Sequence, residues 1–261
     1  MIAPPDSLGI ADVTAQRRVA GLATPQALQR LTTTDLQQRG VTDIADALRR
    51  FSGVNLRDYG GAGGLKTVSV RGLGAGHTAV SYDGLSVADT RQGQIDLGQF
   101  STNRLGDLSL QNMGEGQLLC PVRNMAAAVV SLHTPWAPQT GALWHGSATL
   151  RQAAFGTYAP SLSVQKRVAR HTSLGIGGDY FFAHNDYPFY VENGVASETL
   201  RRTNSRMQTA TTEVNLHQTL QHDGQITAKA YFYHNYRRLP GMVYLYVNHN
   251  DERLKEETAF A

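Results

Sequence analysis

The chain of 261 residues has few of the features that stabilise small secreted proteins or helical membrane proteins. Its one cysteine, Cys120, can form neither an internal disulfide nor a cysteine-based metal cluster, and we expect an inert thiol. No run of about 18 apolar residues is present, so the sequence offers no transmembrane helix. The net charge is only +3 and the basic residues are scattered, so nucleic acid is not an expected partner.

Signatures of catalysis are missing as well. The nine histidines show neither HxxxH nor HExxH spacing, and no GxSxG nucleophile elbow occurs. The glycine-rich run 58–66 lacks the Gly-Lys-Ser/Thr step into a helix that a phosphate-binding loop needs. Asp83, Asp89 and Asp96 do not have the spacing of a calcium-binding loop. We therefore predict no enzyme activity, no cofactor and no metal site.

Glycine, with 26 residues, and tyrosine, with 11, are abundant, which is typical of short strands joined by turns. The pattern is clearest in residues 60–84, where alternation predicts two strands, 66–71 and 77–82, that form a hairpin around glycine turns. Asp83-Gly84 is a two-residue turn signal before a further strand at 85–87. Two more strands are expected around 108–110 and 130–132, which makes 25–134 a compact α+β unit.

Two helices are predicted before these strands. Thr34 and Gln37 have the spacing of a capping box, and a glycine at position 40 ends that first helix. Thr42 is predicted to cap a second helix that runs to residue 50. The apolar face of the second helix consists of Ile44, Leu48 and Phe51.

From residue 141 the pattern becomes a long, regular alternation of apolar and polar residues. The alternation is found in five segments, around 144–151, 161–165, 173–182, 210–217 and 226–233, and the start of a sixth is expected at Thr258. Each segment has one apolar and one polar face, which favours barrel strands between lipid and a wet lumen. Short turns near 169–172 and 221–224 alternate with long polar loops, as in membrane barrels.

Particular segments also resemble a known family. The run GGAGGLKTVSVRG, the later YDGLSV and GQIDL, and DIADALRRFSGVN in the second helix resemble the plug domain of TonB-dependent outer-membrane transporters, in particular the cobalamin-transporter-like branch. The resemblance implies an α+β plug domain followed by an antiparallel transmembrane β-barrel, incomplete here with its first five or so strands. It divides the chain into a coupling arm (1–24), a plug domain (25–135) and the N-terminal part of the barrel (136–261).

The resemblance implies two binding regions. The ligand-binding residues at the plug apex would be Tyr59, Gly60, Leu65, Lys66, Asp89, Arg91 and Gln92. The Ton box, which is offered to the periplasmic energy-coupling protein TonB, would be Leu8, Gly9, Ile10, Ala11, Asp12, Val13, Thr14 and Ala15. An unpaired segment of this kind suits strand addition to the sheet edge of a partner.

One arginine is expected to anchor the plug to the barrel. Arg71 lies in the SVRG step between two strands, and a buried arginine needs a carboxylate partner. The inward-facing Glu213, or Asp179, would supply it from the barrel strands.

We therefore predict a TonB-dependent transporter in the outer membrane of a Gram-negative bacterium. Its partners would be TonB, outer-membrane lipid and a scarce, large ligand such as a cobalamin or a siderophore. The N-terminus shows no signal peptide, so we expect a processed or truncated form. The alternatives are a truncated, non-transporting relative and a soluble β-rich binding or adhesion module.

Overall fold

The computed structural model describes residues 28–41, 43–59, 64–87, 94–112, 126–135, 143–193, 196–221, 224–241 and 251–261. The helices are α1 (Thr33–Gln38) and α2 (Ile44–Leu48). The strands of the first half are β1 (Leu28–Thr32), β2 (Val54–Tyr59), β3 (Leu65–Val70), β4 (Thr78–Tyr82), β5 (Leu85–Val87), β6 (Asp107–Asn112) and β7 (Ala128–His133). Those of the second half are β8 (Trp144–Ala153), β9 (Thr157–Ala169), β10 (Thr172–Ala183), β11 (Pro188–Asn193), β12 (Ala196–Arg201), β13 (Met207–Thr219), β14 (Gln225–Arg238) and β15 (Arg253–Phe260).

The first half, called the plug below, is built on a five-stranded mixed sheet in the order β1-β6-β7-β4-β5. Its centre is apolar because β4, β6 and β7 bury valine and leucine side chains on one face of the sheet, where these residues are direct partners across the ladders. The most buried of these residues are Val80, Leu108, Leu110, Val130 and Leu132. The predicted apolar face of α2 is confirmed, since Ile44, Leu48 and Phe51 all belong to this core.

The helices begin one or two residues away from the predicted caps. At α1 the capping pair is Thr32 and Asp35, whose carboxylate accepts hydrogen bonds from the Thr32 backbone N and hydroxyl at 2.9 and 2.7 Å. At α2 the N-cap is Asp43, which accepts a hydrogen bond from the Ala45 backbone N at 2.8 Å. An aspartate oxygen caps as well as a threonine hydroxyl, so composition alone does not separate adjacent candidates.

The predicted hairpin of residues 66–82 is wrong in its pairing. Strand β3 pairs with β2, a strand that was not predicted from the sequence. Strand β4 pairs with β5 and β7. Arg71 and Gly72 cause the separation, because both have positive φ angles, 54° and 76°, and turn the chain away from β2. The hairpin between β4 and β5 is confirmed, with Asp83 and Gly84 at φ 50° and 90°.

The second half, called the wall below, is an antiparallel six-stranded sheet in the order β15-β14-β13-β10-β9-β8. The five predicted strands are confirmed. The sixth begins earlier than predicted, at Arg253 instead of Thr258, because it pairs with β14 along eight residues. The described part of the sheet is open, since β8 and β15 form its two edges.

The two faces of the wall differ as their alternation predicts. The inward face, toward the plug, buries polar residues: Ser161, Ser173, Thr211, Glu213, Asn215, Lys229 and Asn235. The outward face exposes large apolar residues: Leu150, Leu162, Ile176, Val214, Ile226 and Phe232. This is the reverse of a soluble protein, in which the apolar face is the buried one.

The two longest connections of the wall lie at one end, although the turn between β8 and β9 at that same end has only three residues. The turns after β9 and β13 are short, and this end of the wall is called the short-turn end. At the opposite, long-loop end, the connection between β10 and β13 contains the hairpin of β11 and β12, which was predicted only as a polar loop. No helix among the described residues has the length and apolarity needed to cross a membrane.

Candidate functional site

The candidate site is the interface at which the plug meets the inward face of the wall. The plug contributes residues from the end of β4, from two short 3-10 helices (Leu97–Gln99 and Thr102–Arg104) and from the end of β7. The wall contributes inward side chains of β10, β13 and β14. These wall positions alternate along each strand with apolar residues on the outward face. Since successive side chains of a strand point to opposite faces, the polar side chains at these positions point toward the plug.

Arg104 of the plug forms the first part of an ionic cluster. Its guanidinium lies 2.8 Å from the Asp179 carboxylate on β10 and 3.6 Å from the Glu213 carboxylate on β13. The Arg104 and Glu213 side chains are each 2% exposed, so water screens this interaction little. Burial disfavours the charged guanidinium, but Glu213 and Asp179 outweigh it and raise the pKa of Arg104 above its ordinary value.

A glycine makes room for this arginine. A Cβ atom at Gly177 on β10 would lie 2.6 Å from the Arg104 Cδ, well inside contact distance. Glycine at this position therefore leaves room for the Arg104 side chain to pack against the wall strand. Substitution by alanine would push Arg104 away from Asp179.

Lys229 of β14 forms the second part of the cluster. Its ammonium nitrogen lies 2.7 Å from the Asp83 carboxylate in the β4–β5 turn and 3.4 Å from the Glu213 carboxylate. It also donates a hydrogen bond to the Asn215 Oδ1 at 2.9 Å. The same nitrogen lies 3.5 Å from the centroid of the Tyr82 ring, within cation–π range. Glu213 thus joins the two cations.

Aromatic rings close the cluster. Tyr82 and Phe100 of the plug and Tyr231 of the wall have ring centroids 5.5 to 6.0 Å apart. The Tyr82 hydroxyl donates to Glu213 at 2.7 Å, and the Tyr231 hydroxyl donates to the Gln99 carbonyl at 2.6 Å. Burial, with the Glu213 charge added to it, raises the pKa of Tyr82 well above its ordinary value. This hydroxyl therefore stays a donor at any physiological pH.

Asp83 connects the cluster to the C-terminal end of the plug. Its carboxylate accepts hydrogen bonds from the Thr134 backbone N at 2.7 Å and from the Thr134 hydroxyl at 2.8 Å. Thr134 directly follows β7, and Gln165 of the wall donates to the carbonyl of the next residue, Pro135, at 2.6 Å. One carboxylate therefore holds a plug turn, the plug end and a wall strand together.

The anchoring arginine is not the predicted one. Arg71 is exposed on the turn after β3, and the arginine beside Glu213 and Asp179 is Arg104. Arg71 was predicted to be the anchoring arginine because it lies in the SVRG step between two strands. Arg104 was not predicted, because it lies in a short 3-10 segment that has no hydrophobic periodicity. The available signal was the alternation of the wall: Asp179, Glu213 and Lys229 are charged residues on faces that point inward.

A cavity of about 830 Å³ lies beside the cluster, toward the long-loop end. The plug lines it with Asp43 and Asp46 at α2, Asp58 of β2 and Lys66 of β3. The wall lines it with residues of five strands, β8, β9, β10, β13 and β14, among them Arg151, Tyr180, Thr209 and Tyr233. Its volume is in the range of sites that bind drug-sized ligands.

The predicted apex residues lie in different places. Tyr59 ends β2 and is 54% exposed, and Leu65 is half-buried at the start of β3. Lys66 lines the cavity but is buried, forms an ion pair with Asp43 and lies 4.0 Å from Asp58. Gly60, Asp89, Arg91 and Gln92, and the Ton box residues 8–15, lie outside the described residues. 

Asp96 fixes the base of the β2–β3 hairpin. Its Oδ1 accepts hydrogen bonds from the Lys66 backbone N at 2.9 Å and the Gly98 backbone N at 2.8 Å. Burial raises the pKa of the Asp96 carboxyl to about 6, although the two N–H groups lower it. The two backbone N–H groups therefore hold the Asp96 side chain in place, while burial disfavours its charged form.

No group of three or more histidine, cysteine, aspartate or glutamate side chains suited to a metal ion occurs within the described ranges. The buried charges here are instead paired with each other across the interface.

A plug packed by buried polar contacts against an antiparallel, outward-apolar wall has the architecture of a plug domain with an open part of a β-barrel. Residues 21–120 match the family described as TonB-dependent Receptor Plug Domain. The match covers 100 of the 261 residues and assigns this part of the chain to the plug domain of TonB-dependent receptors.

Solved structures of such receptors share the fold. The chain is similar to the pyoverdine receptor FpvA from Pseudomonas aeruginosa bound to pyoverdine, with TM-score 0.61 and 16% identity over 84% of this chain and 29% of that one. It is also similar to a mutant ferric enterobactin receptor PfeA from the same organism in complex with enterobactin, with TM-score 0.58 and 15% identity over 90% and 38%. The third is the copper transporter OprC, with TM-score 0.60 and 17% identity over 81% and 30%.

The chain thus spans about a third of the length of these receptors. The similarity to the cobalamin-transporter-like branch stays a prediction.

Proposed function

We propose that this chain serves TonB-dependent uptake of a scarce, large ligand across the outer membrane of a Gram-negative bacterium. The observation that carries the proposal is the buried ionic cluster of Arg104, Lys229, Asp83, Asp179 and Glu213. It fills the junction between plug and wall with polar contacts. A junction of this kind holds the plug in a defined position, yet leaves polar groups that water can solvate again when the plug moves.

Energy for plug displacement would come through the N-terminal arm. In this proposal TonB binds residues 8–15 by strand addition, and its pull is transmitted to β1, an edge strand of the plug sheet. The inner-membrane potential supplies about 2.3 kcal/mol per charge per 100 mV, so a few translocated charges offset the loss of several interface contacts.

Deletion of residues 8–15 tests the coupling. Cells that express the receptor gene would be supplied with radiolabelled ferric enterobactin, ferric pyoverdine, copper and cyanocobalamin as probes. For the probe that is taken up, the deletion should abolish uptake while surface binding persists. Deletion of the next eight residues, 16–23, is the length-matched control and should retain uptake. Equal uptake with and without residues 8–15 would overturn the coupling role.

The ligand would enter through the long-loop end and rest in the cavity. The ligand classes that we propose are siderophores, copper and cobalamin-like chelates, and the apex residues Tyr59, Gly60, Leu65, Lys66, Asp89, Arg91 and Gln92 are proposed to contact them. The support for this site is the position of the cavity, between α2, the β2–β3 hairpin and the upper wall.

Filling the cavity tests this placement. Thr209→Trp places an indole on an inward position that lines the cavity, whereas Thr212→Trp places it on the exposed outward face of the same strand. The first variant should weaken binding of the transported probe at least about tenfold, since the cavity would lose space that the ligand needs. The second should bind like the parent. Equal binding by both variants would place the ligand elsewhere.

A further inference from the structure

Asp179 of the wall receives its partners from a single segment of the plug. The Arg104 guanidinium lies 2.8 Å from its Oδ2. Its Oδ1 accepts hydrogen bonds from the Ser101 hydroxyl at 3.1 Å and from the Asn103 side-chain amide at 3.3 Å. Within the described residues, every partner of this carboxylate therefore belongs to residues 101–104, called the contact segment below.

Glu213, the other carboxylate beside Arg104, keeps partners on the wall itself. The Lys229 ammonium lies 3.4 Å from it, and the Asn215 amide donates a hydrogen bond to it at 3.1 Å. If the contact segment leaves the wall, these two groups remain beside Glu213, whereas Asp179 loses its partners. A carboxylate that loses its cation before water reaches it is strongly unfavourable. Opening of the interface is therefore easier if the wall holds a second cation for Asp179.

Arg151 on β8 is placed to be that second cation. Arg151 and Asp179 lie on the same inward face, because their partners on β9 are Ala159 and Ser161, two residues apart. Across the described ranges no ion pair involves Arg151, and its buried Nε has no hydrogen-bond partner. Both side chains line the cavity, which gives the long arginine side chain room to turn.

Asn103 of the contact segment keeps the two side chains apart. Its Oδ1 accepts a hydrogen bond from the Arg151 Nη2 at 2.8 Å, while its Nδ2 donates to the Asp179 Oδ1 at 3.3 Å. An amide side chain can accept from a guanidinium and donate to a carboxylate at the same time. These two bonds and the width of one amide group place the Arg151 and Asp179 side chains within about 8 Å of each other.

The contact between Arg104 and Asp179 is suited to exchange. The two groups lie 2.8 Å apart, but the Asp179 Oδ2 and the three guanidinium nitrogens of Arg104 are buried without an aligned hydrogen bond among the described residues. Charge therefore holds this pair together, without the forked hydrogen bonds that an arginine can form with a carboxylate. A second guanidinium can replace the first without the loss of directed bonds.

We propose that Asp179 exchanges Arg104 for Arg151 when the contact segment leaves the wall. Asn103 holds Arg151 away as long as the plug is packed against the wall, and it departs together with Arg104. The Arg151 guanidinium then turns along the cavity to the Asp179 carboxylate and replaces the lost cation. The exchange lowers the cost of the first step of plug displacement, and it rests on the proposed function, in which the plug moves.

Removal of Asn103 and Arg104, separately and together, tests the exchange by denaturant unfolding of the full chain in detergent micelles. Asn103→Ala alone should raise the equilibrium constant for unfolding about tenfold, because two hydrogen bonds are lost. Added to Arg104→Met, the same substitution should instead lower this constant at least about tenfold, because Arg151 is released to pair with Asp179. If Asn103→Ala destabilises the chain in both backgrounds, or if the double variant fails to fold, the proposal is overturned.

Variants of Arg151 show whether this residue supplies the gain. Arg151→Met, added to Arg104→Met and Asn103→Ala, should abolish the gain, whereas Arg151→Lys keeps the charge and should retain part of it. Asn55→Ala removes an exposed amide on β2 and is the matched control. It should change the unfolding constant less than about threefold in either background. A gain that persists with Arg151→Met would refute the role of this arginine.

A crystal structure of the Arg104→Met, Asn103→Ala variant observes the exchange directly. The Arg151 guanidinium should lie within about 4 Å of the Asp179 carboxylate. An Arg151 side chain that stays apart from Asp179 would contradict the proposal. None of these measurements involves uptake, so failure of the coupling test and failure of the exchange are separate results.

Discussion

Within the plug, β4, β6 and β7 meet through aliphatic side chains such as Val80, Leu108 and Leu132, whereas the plug meets the wall through Arg104, Lys229 and their carboxylates. Both regions are buried, but their energetics differ. Burial of aliphatic surface stabilises the fold by roughly 25 cal/mol per Å². This free energy is lost in full when the contact opens and the surface is exposed to water. A buried ion pair gains little net free energy, because desolvation offsets attraction, and water restores part of the loss when the pair separates. The difference suits a plug that stays folded and a junction that opens.

The largest expected effect on stability comes from removing the cation of the interface while its carboxylates stay buried. Arg104→Met would leave the Asp179 and Glu213 carboxylates buried without their cation, at a cost of about 3–5 kcal/mol in the free energy of unfolding. The measurement is the denaturant midpoint of the chain in detergent micelles. Arg49→Met is the control, because Arg49 is 57% exposed and lies 3.8 Å from Asp46 in a surface pair. Equal costs for the two variants would contradict the role given to burial.

A core substitution should come close to this effect by another mechanism. Leu132→Ala removes a fully buried side chain from the centre of the plug sheet and should cost about 2–5 kcal/mol. Leu73→Ala, at a plug position that is 47% exposed, should change stability by less than about 0.5 kcal/mol. If Leu73→Ala were as costly as Leu132→Ala, the assignment of the core would be wrong.

Making the interface resemble the core should change stability less. The combined variant Arg104→Met, Asp179→Leu, Glu213→Met and Tyr82→Phe removes the paired charges together with the hydroxyl that donates to Glu213. Its free energy of unfolding should stay within about 2 kcal/mol of the parent or exceed it, since desolvation is avoided. Uptake should nevertheless fall, because an apolar junction resists opening. A variant that is strongly destabilised and still transports would refute this division.

The last effect is a pH dependence that comes from Asp96. Its pKa of about 6 lies above the ordinary value of 3.8, so the folded state binds this proton more tightly than the unfolded chain. The corresponding stability is complete below pH 3.8 and is lost as pH rises through about 6, with a magnitude of roughly 3 kcal/mol for a shift of about two pKa units. Asp96→Asn should flatten this part of the stability profile. The same decline in the parent and in the variant would assign it to other groups.

The sequence predicted the wall better than the plug, for a physical reason. A strand with one lipid face and one lumen face repeats every two residues, so its alternation is visible without knowledge of its neighbours. The pairing of β3 with β2 depends on the positive φ of Arg71, which sequence patterns do not reveal. The hairpin of β11 and β12 was predicted only as part of a polar loop, although its first strand contains Phe189, Tyr190 and Val191, which favour strands.

The sequence predicted the wall residues of the candidate site but not the arginine of the plug that they contact. Glu213 and Asp179 follow from wall alternation, but their partner comes from a 3-10 segment whose position depends on the folded plug. Arg71 and Arg104 are chemically equal candidates in the sequence, and only the packing of the plug selects between them. The close approach of Arg104 to Gly177 was likewise not predictable, because it depends on how a plug segment packs against a wall strand.

The most direct test of the central claim is a double-mutant cycle between plug and wall. Arg104→Met, Asp179→Leu and the double variant would be compared by denaturant unfolding in detergent micelles. A buried ionic junction predicts a coupling of about 1–3 kcal/mol, with the double variant more stable than Arg104→Met alone. Additive costs, within about 0.5 kcal/mol, would show that the two side chains do not hold plug and wall together.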